Sequence, residues 1–296
     1  MSGEVHEVFP GISLRVNEEK GSRSADGGVN PGGKFFEIDH CLEGRAEFAL
    51  GNGFGYLAPG DILISDKVNF SRDAFFPLGF YKGITITVDT SKAPRCLSCF
   101  LDDVNVSPEK LREKFCAKNG FIARSSDQIA HIFSELYNVP ESIRGGYYKV
   151  KVLELFLFLS ALETDPAETA RHSVSRAHMS LARAVSRYLT DHMDERVTLD
   201  MLSSVFHISG TQIKSSFREV YGMSIYAHVR AQKMQAAAKL LCESDSTVIE
   251  IAGRFGYDNA SKFAKAFRDV MGASPNEYRN FKNPSEWSRQ KADNVV

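Results

Sequence analysis

One block of eight residues occurs twice near the C-terminus. Phe217-Arg218-Glu219-Val220-Tyr221-Gly222-Met223-Ser224 returns as Phe267-Arg268-Asp269-Val270-Met271-Gly272-Ala273-Ser274, displaced by 50 residues. A displacement of this size marks a duplicated supersecondary unit. Such a unit must bury the same stripe of side chains twice, which limits the fold of this region more than any other feature of the chain.

The residues around each copy predict its local structure. Residues 174–193 form an amphipathic pattern ending near His192. Thr198 can cap the next helix, with Asp200 in the first turn at its positive end. Leu199, Leu202 and Val205 are expected to point inward, His207-Ile208 to turn, and Ser209 to cap a second helix over Gly210–Tyr221. Ile213, Phe217 and Val220 recur at intervals of three and four and predict its core stripe. The second copy repeats the plan. Thr247 caps a helix holding Val248, Ile251 and Ala252, and Ala252 is small where two helices cross. Gly256 turns, Asp258 or Asn259 caps, and Phe263, Phe267 and Val270 form the stripe. Two short helices joined by a tight turn, the second with exposed polar side chains, read as a helix-turn-helix. Two in tandem can read two stretches of DNA groove.

The residues off the stripe carry the expected contacts. On the first reading helix these are Thr211, Gln212, Lys214 and Ser215, which can reach base edges, with Arg218 placed for phosphate. On the second, Ser261, Lys262 and Lys265 are polar readers, and Ala260 and Ala264 can touch a thymine methyl. Arg254 and Arg268 are expected backbone clamps. Ile225–Leu241 joins the units; at about 1.5 Å per residue it spans roughly 25 Å. With the width of each unit added, the reading helices are expected about 34 Å apart, one turn of duplex. A plain helical bundle is the alternative, but a bundle does not require paired polar faces.

Net charge over the whole chain is −1 and does not announce a nucleic acid partner. Its distribution is more telling. Arg171–Lys282 holds 16 Lys or Arg against 11 Asp or Glu, a net of +5, leaving −6 elsewhere. An acidic front and a basic back suit a sensor joined to a DNA reader.

Residues 1–93 read as short strands: Gly11–Val16, Lys34–Cys41, Glu43–Ala49, Gly53–Ala58, Asp61–Ile64 and Tyr81–Val88. Glu43-Gly44, Gly51-Asn52-Gly53 and Pro59-Gly60-Asp61 read as turns, and residues 19–33 as a loop. Many short strands with close turns favour a small barrel or jelly roll, whose mouth can hold a small molecule. Phe35, His40, Phe48, Phe54 and Tyr56 are candidate pocket residues, with core packing as the competing reading for the aromatics. His6 and His40 are the only histidines in this stretch. They lack metal-ligand spacing, so no metal and no cofactor is expected. The G-x-S-x-G, H-E-x-x-H and P-loop patterns are missing from the sequence, and an enzyme is not expected.

Residues 108–137 read as largely helical. Gly146–Leu162 is apolar on nearly every face and asks for burial on several sides. A second subunit can cover one of them, which predicts a homodimer; burial wholly within its own subunit is the competing reading. Glu163–Ser173, polar and containing Pro166, reads as a linker. Five cysteines at irregular spacing do not make a secreted disulfide framework. Cys96 and Cys99 form a lone C-x-x-C, read as ordinary thiols, with a redox pair or half a metal site as the competing readings. No uncharged apolar run is long enough for a membrane span, and the expected location is the cytoplasm.

Residues 174–283 resemble the AraC/XylS family of bacterial transcription regulators. The likeness rests on Ile249-x-Ile251-Ala252-x-x-x-Gly256-Tyr257-x-x-x-Ser261-x-Phe263-x-x-x-Phe267-Arg268-x-x-x-Gly272-x-Ser274-Pro275-x-x-Tyr278-Arg279. The front is similar to that family's cupin-type sensor through Ile38-Asp39-His40-Cys41-Leu42-Glu43-Gly44 and Tyr56-Leu57-Ala58-Pro59-Gly60-Asp61. Three residues depart from the family pattern: Ser203 stands for Ala, Lys233 for Arg and Tyr257 for Phe. The resemblance implies an α+β chain in five parts. A cupin-like β-barrel sensor (1–93) precedes a helical connector and dimerisation region (94–162) and a linker (163–173). An all-α tandem helix-turn-helix domain (174–283) and a tail (284–296) follow. It implies an activator bound to double-stranded promoter DNA, modulated by a small-molecule effector and touching RNA polymerase. A regulator with a vestigial sensor, and a cupin-type enzyme fused to a reader, are the competing readings.

Overall fold

The computed structural model describes residues 4–22, 34–50, 53–66, 74–94, 97, 106–116, 120–163 and 173–280. Cys96, Cys99, most of the expected linker and the expected tail lie outside them. The chain divides into two compact units, Met1–Arg176 and Ala177–Val296.

The first unit holds strands β1 (Val5–Phe9), β2 (Ile12–Lys20), β3 (Phe35–Gly44), β4 (Ala46–Leu50), β5 (Gly53–Leu57), β6 (Ile62–Ser65), β7 (Phe80–Asp89) and β8 (Phe121–Ala123). Six of them form one antiparallel sheet in the order β1-β2-β7-β3-β6-β8, while β4 and β5 pair separately. The expected cupin-like β-barrel is therefore wrong. Closure requires the end strands to bond to each other, and here β1 and β8 are opposite ends of an open sheet.

The reason lies at the end of β3. This strand pairs with β7 from Phe35 to Gly44, with a register shift between Cys41 and Glu43. Gly44 then takes φ +84°, at a point where a Cβ would stand 2.4 Å from the Phe80 carbonyl oxygen. Only glycine fits there. After Arg45 the chain begins a hairpin of its own. Among the described residues, that hairpin's further bridges are single ones, Glu47 to Phe75 and Phe54 to Val174.

Helices complete the burial that closure would have supplied. They are α1 (Pro108–Cys116), α2 (Asp127–Ser134) and α3 (Arg144–Ala161). Phe36, Ile38, Ile84 and Ile86 from alternate sheet positions share a core with Leu111, Ile129, Phe133, Val152 and Phe156. On the opposite face Cys41, Leu63 and Tyr81 pack with Phe48, Leu57 and Phe76. Strand β3 is buried on both sides, which explains its unbroken burial from Phe35 to Cys41. The expected helix over 108–137 is interrupted, because Phe121–Ala123 pairs with Ile62–Ile64 as β8. Three consecutive apolar residues carry no period, so pairing with a neighbour decides their conformation.

Among the described residues the second unit is all helical: α4 (Arg176–Asp191), α5 (Leu199–Phe206), α6 (Gly210–Tyr221), α7 (Ile225–Glu243), α8 (Val248–Arg254), α9 (Ala260–Met271) and α10 (Pro275–Asn280). Met234, Ala237, Ala238 and Leu241 of α7 form one core with Ile251, Ala252 and Phe255 of α8, Phe263 and Phe267 of α9, and Tyr278. The alanines let these helices approach closely, so burial rather than propensity alone explains Ala237 and Ala238.

Candidate nucleic-acid interface

Each helix that builds the two modules starts on a side-chain cap. Thr198 accepts from the Met201 amide, Ser209 from Gln212 and Ser224 from Ala227. Thr247 accepts from Glu250, whose carboxylate accepts in turn from the Thr247 amide at 2.7 Å, completing a capping box. Of the two candidates before α9, Asn259 is the cap; its Oδ1 accepts from Ser261 N and Lys262 N at 2.8 and 3.1 Å. Gly222 and Gly272 end α6 and α9 at φ +73° and +81°.

The repeat contains two displacements. Thr198 corresponds to Thr247, and the Ile208 N–H to Ser203 C=O bond corresponds to Tyr257 N–H to Ala252 C=O, each 49 residues on. The left-handed turn residues, His207 at φ +54° and Gly256 at φ +78°, keep that spacing. The caps Ser209 and Asn259 are 50 apart. The second turn thus holds one extra residue, Asp258. Aligning the turns at the shorter spacing would have exposed His207 as the strained position; the sequence reading placed a turn there but missed its left-handed backbone.

Ile213, Phe217 and Val220 are fully buried, as are Phe263 and Phe267, while Val270 is half-buried. With 100° per residue, the direction opposite the first stripe carries Thr211, Ser215 and Arg218. On the second helix it carries Ser261, Lys265 and Arg268, the same positions 50 residues on. All six are exposed. Gln212 and Lys214 flank the first set, and Lys262 and Ala264 the second; Ala264 and Ala260 are half-buried. Arg254 is exposed at the end of α8. Two of the outward residues are engaged within the protein. Ser215 donates to Glu219 at 3.0 Å, and Arg268 pairs with Glu277 at 3.8 Å.

Two residues hold the modules together: Gly210, which sequence reasoning missed, and Lys233, which it noted only as a departure from the family pattern. A Cβ on Gly210 would come within 2.8 Å of Leu199 Cδ2 and 3.3 Å of Ser203 Oγ, so glycine sets the α5–α6 crossing. Lys233 donates from Nζ to the Phe255 carbonyl at 3.1 Å, tying α7 to the second turn. Burial lowers its ammonium pKa below the ordinary range, with Asp194 opposing. Val205, expected inside, is 47% exposed; α5 is only two turns long and buries Leu202 instead.

The candidate pocket residues of the first unit are not brought together. His40 lies on the helical side of the sheet, stacked on Phe133 at 4.1 Å with Nδ1 2.9 Å from the Tyr137 hydroxyl. Burial pulls its pKa from 6.5 to about 4. Phe48 belongs to the core on the other face, and Tyr56 donates to Glu47 at 2.6 Å. Phe35 is buried at the start of β3, and the backbone of half-buried Phe54 pairs with Val174. The polar network nearby is a different set. Asn17 donates to Thr85 at 2.8 Å and Thr85 to Asp39 Oδ1 at 2.6 Å. Burial, and next the charge of Glu37, push the Asp39 carboxyl well above the usual carboxylate range. Its Oδ2 has no hydrogen-bond partner among the described residues. Alternating polar positions on β2, β3 and β7 were the available signal. Among the described residues, no group of three or more His, Cys, Asp or Glu can hold a metal ion. No described helix is long and apolar enough to cross a membrane.

Residues 202–280 match the family model described as a helix-turn-helix domain. Over part of its length the chain is similar to parts of bacterial transcriptional regulators. One is the regulatory protein PocR of Salmonella typhimurium strain LT2, 27% identical over 121 residues, 40% of this chain and 40% of that protein. Another is the uncharacterized HTH-type transcriptional regulator YdiP of Escherichia coli K12, 35% identical over 104 residues, 35% of this chain and 34% of that one. The chain therefore spans well under half the length of either relative. Among solved structures, the C-terminal domain of AraT, a response regulator from Geobacillus stearothermophilus, is 30% identical. It covers 34% of this chain and 84% of that chain, with a TM-score of 0.33.

Proposed function

We propose that this protein is a sequence-specific DNA-binding transcription regulator of the AraC/XylS kind, gripping promoter duplex with both helix-turn-helix units. The observation that carries the reading is the repeated outward triplet, Thr211, Ser215 and Arg218 against Ser261, Lys265 and Arg268, exposed on capped helices whose apolar stripes recur at the same spacing. The flanking Gln212, Lys214, Lys262, Ala260 and Ala264 complete the base-reading set, while Arg218, Arg254 and Arg268 hold phosphate. Arg268 must leave Glu277 to do so, an exposed pair whose loss costs little.

Genomic footprinting with the full-length protein tests this. A protected site with two half-contacts about one duplex turn apart is the expected result. Replacing Lys265 by Ala should change preference at particular base pairs, whereas Arg268→Gln should weaken all sequences evenly and reduce the salt slope by about 1. Uniform loss for both variants contradicts the base-reading assignment, and absence of any protected site contradicts the whole reading.

Effector control by the first unit is supported by the buried Asn17–Thr85–Asp39 network, whose Asp39 Oδ2 has no hydrogen-bond partner among the described residues and can accept from a ligand. A homodimer through α3 is supported by Ile143 and Val150, 53% and 61% exposed and two turns apart.

A further inference from the structure

A cavity of about 410 Å³ lies within the C-terminal unit, between the end of α4, the starts of α5 and α7, and one flank of α6. Its volume is in the range of small-molecule sites. Leu189, Val197, Leu199, Leu202, Ile225 and Val229 give it apolar walls. The exposed Lys214 and Arg218, one helical turn apart on α6, stand on the same lining. No ion pair involving either cation is found among the described residues. Glu195 is the one carboxylate on this lining, so cationic charge prevails there two to one. Tyr226 adds an aromatic ring, 75% exposed. An apolar chamber with two adjacent cations fits a molecule with a greasy body and an anionic head.

We propose that this cavity binds a small organic anion with an aromatic or aliphatic body, its head held by Lys214 and Arg218, and that its occupancy opposes duplex binding. The body displaces water from the apolar walls and the head makes charge-assisted hydrogen bonds to the two side chains. The same two cations belong to the DNA face of α6, so bound anion withdraws them from duplex. Coupling of this kind is reciprocal, and duplex must expel the anion to the same degree. The antagonism rests on the duplex-binding reading above; the anion site does not.

The test uses the full-length protein and two probes, anilinonaphthalene sulfonate and its uncharged relative phenylnaphthylamine, titrated by fluorescence. Wild-type protein should bind the sulfonate saturably and more tightly than the neutral probe. The double variant Lys214→Gln, Arg218→Gln should lose at least about tenfold in affinity for the sulfonate alone. Val229→Trp, which fills the chamber, should abolish both signals. The two cation positions are exposed, so the double variant keeps the core intact even if the Trp variant unfolds. Unchanged sulfonate affinity in the double variant, or equal affinity for both probes, overturns the site. Non-specific duplex at low salt is then titrated with and without the sulfonate. A shallower salt slope and weaker binding with the probe support the antagonism. Unaltered duplex binding at saturating sulfonate overturns it and leaves the site standing. A protein that holds the sulfonate but no duplex overturns the antagonism together with the function proposed above.

Discussion

Acid should loosen the C-terminal unit through one buried imidazole, His228. Its ring lies 4.6 Å from that of Tyr221 and 5.2 Å from that of Phe217, centre to centre, and its Nε2 is 3.2 Å from the Ser186 hydroxyl on α4. Only 5% of the residue is exposed. Burial lowers its pKa from 6.5 to about 4. The folded state therefore holds a neutral ring over a range where the unfolded chain takes up a proton. Stability is fully present above the unfolded pKa and is lost as pH falls from there toward the folded value. With those two values, linkage gives a loss of about 2 kcal/mol between about pH 7 and about pH 5. His40 titrates in the same direction in the other unit, so a bare pH profile does not isolate His228. The variant His228→Gln does, because an amide can meet Ser186 but cannot titrate. Urea unfolding followed by circular dichroism at both pH values gives the comparison. The helical transition of the variant should fall by about 2 kcal/mol less than that of wild type over this interval. Equal falls for the two proteins would refute the claim that His228 is held neutral by burial.

Three further outcomes follow from the comparison of the two modules. Ser216 is fully buried with its hydroxyl unpartnered among the described residues, where the second module has Ala266; Ser216→Ala should raise stability by about 1 kcal/mol, read as a higher urea midpoint. His207→Gly should stabilise by about 1 kcal/mol by relieving the left-handed backbone, whereas Gly256→Ala should destabilise by a similar amount, measured the same way. Phe267→Ala removes a ring from a site with no exposure and should cost about 3–5 kcal/mol, with loss of cooperative melting in the helical unit.

The sequence alone determined the tandem helical architecture. Caps, end glycines and three-to-four spacing are local signals, since each depends on hydrogen bonds and side chains within one or two turns. Thr198, Ser209, Thr247, Gly222 and Gly272 could be read for that reason, as could the stripes through Phe217 and Phe267. Duplication strengthened them by stating the same pattern twice. The outward positions then followed from helix geometry. What the repeat concealed was a single inserted residue, Asp258, which changes the spacing inside the second turn without disturbing either helix pattern.

Only the tertiary structure decided the pairing of strands. Aromatic and β-branched residues bounded by turn residues say that β3 and β7 are strands, but they do not say whether a sheet closes or is covered by helices. Gly44 turning away beneath the Phe80 carbonyl, and Phe121–Ala123 joining the sheet edge, depend on residues tens of positions away. The same distance in sequence hid the Asn17–Thr85–Asp39 network, the placement of His40 on the helical face and the chamber behind Lys214. Each is made by side chains from several elements, and its energy exists only once those elements are packed.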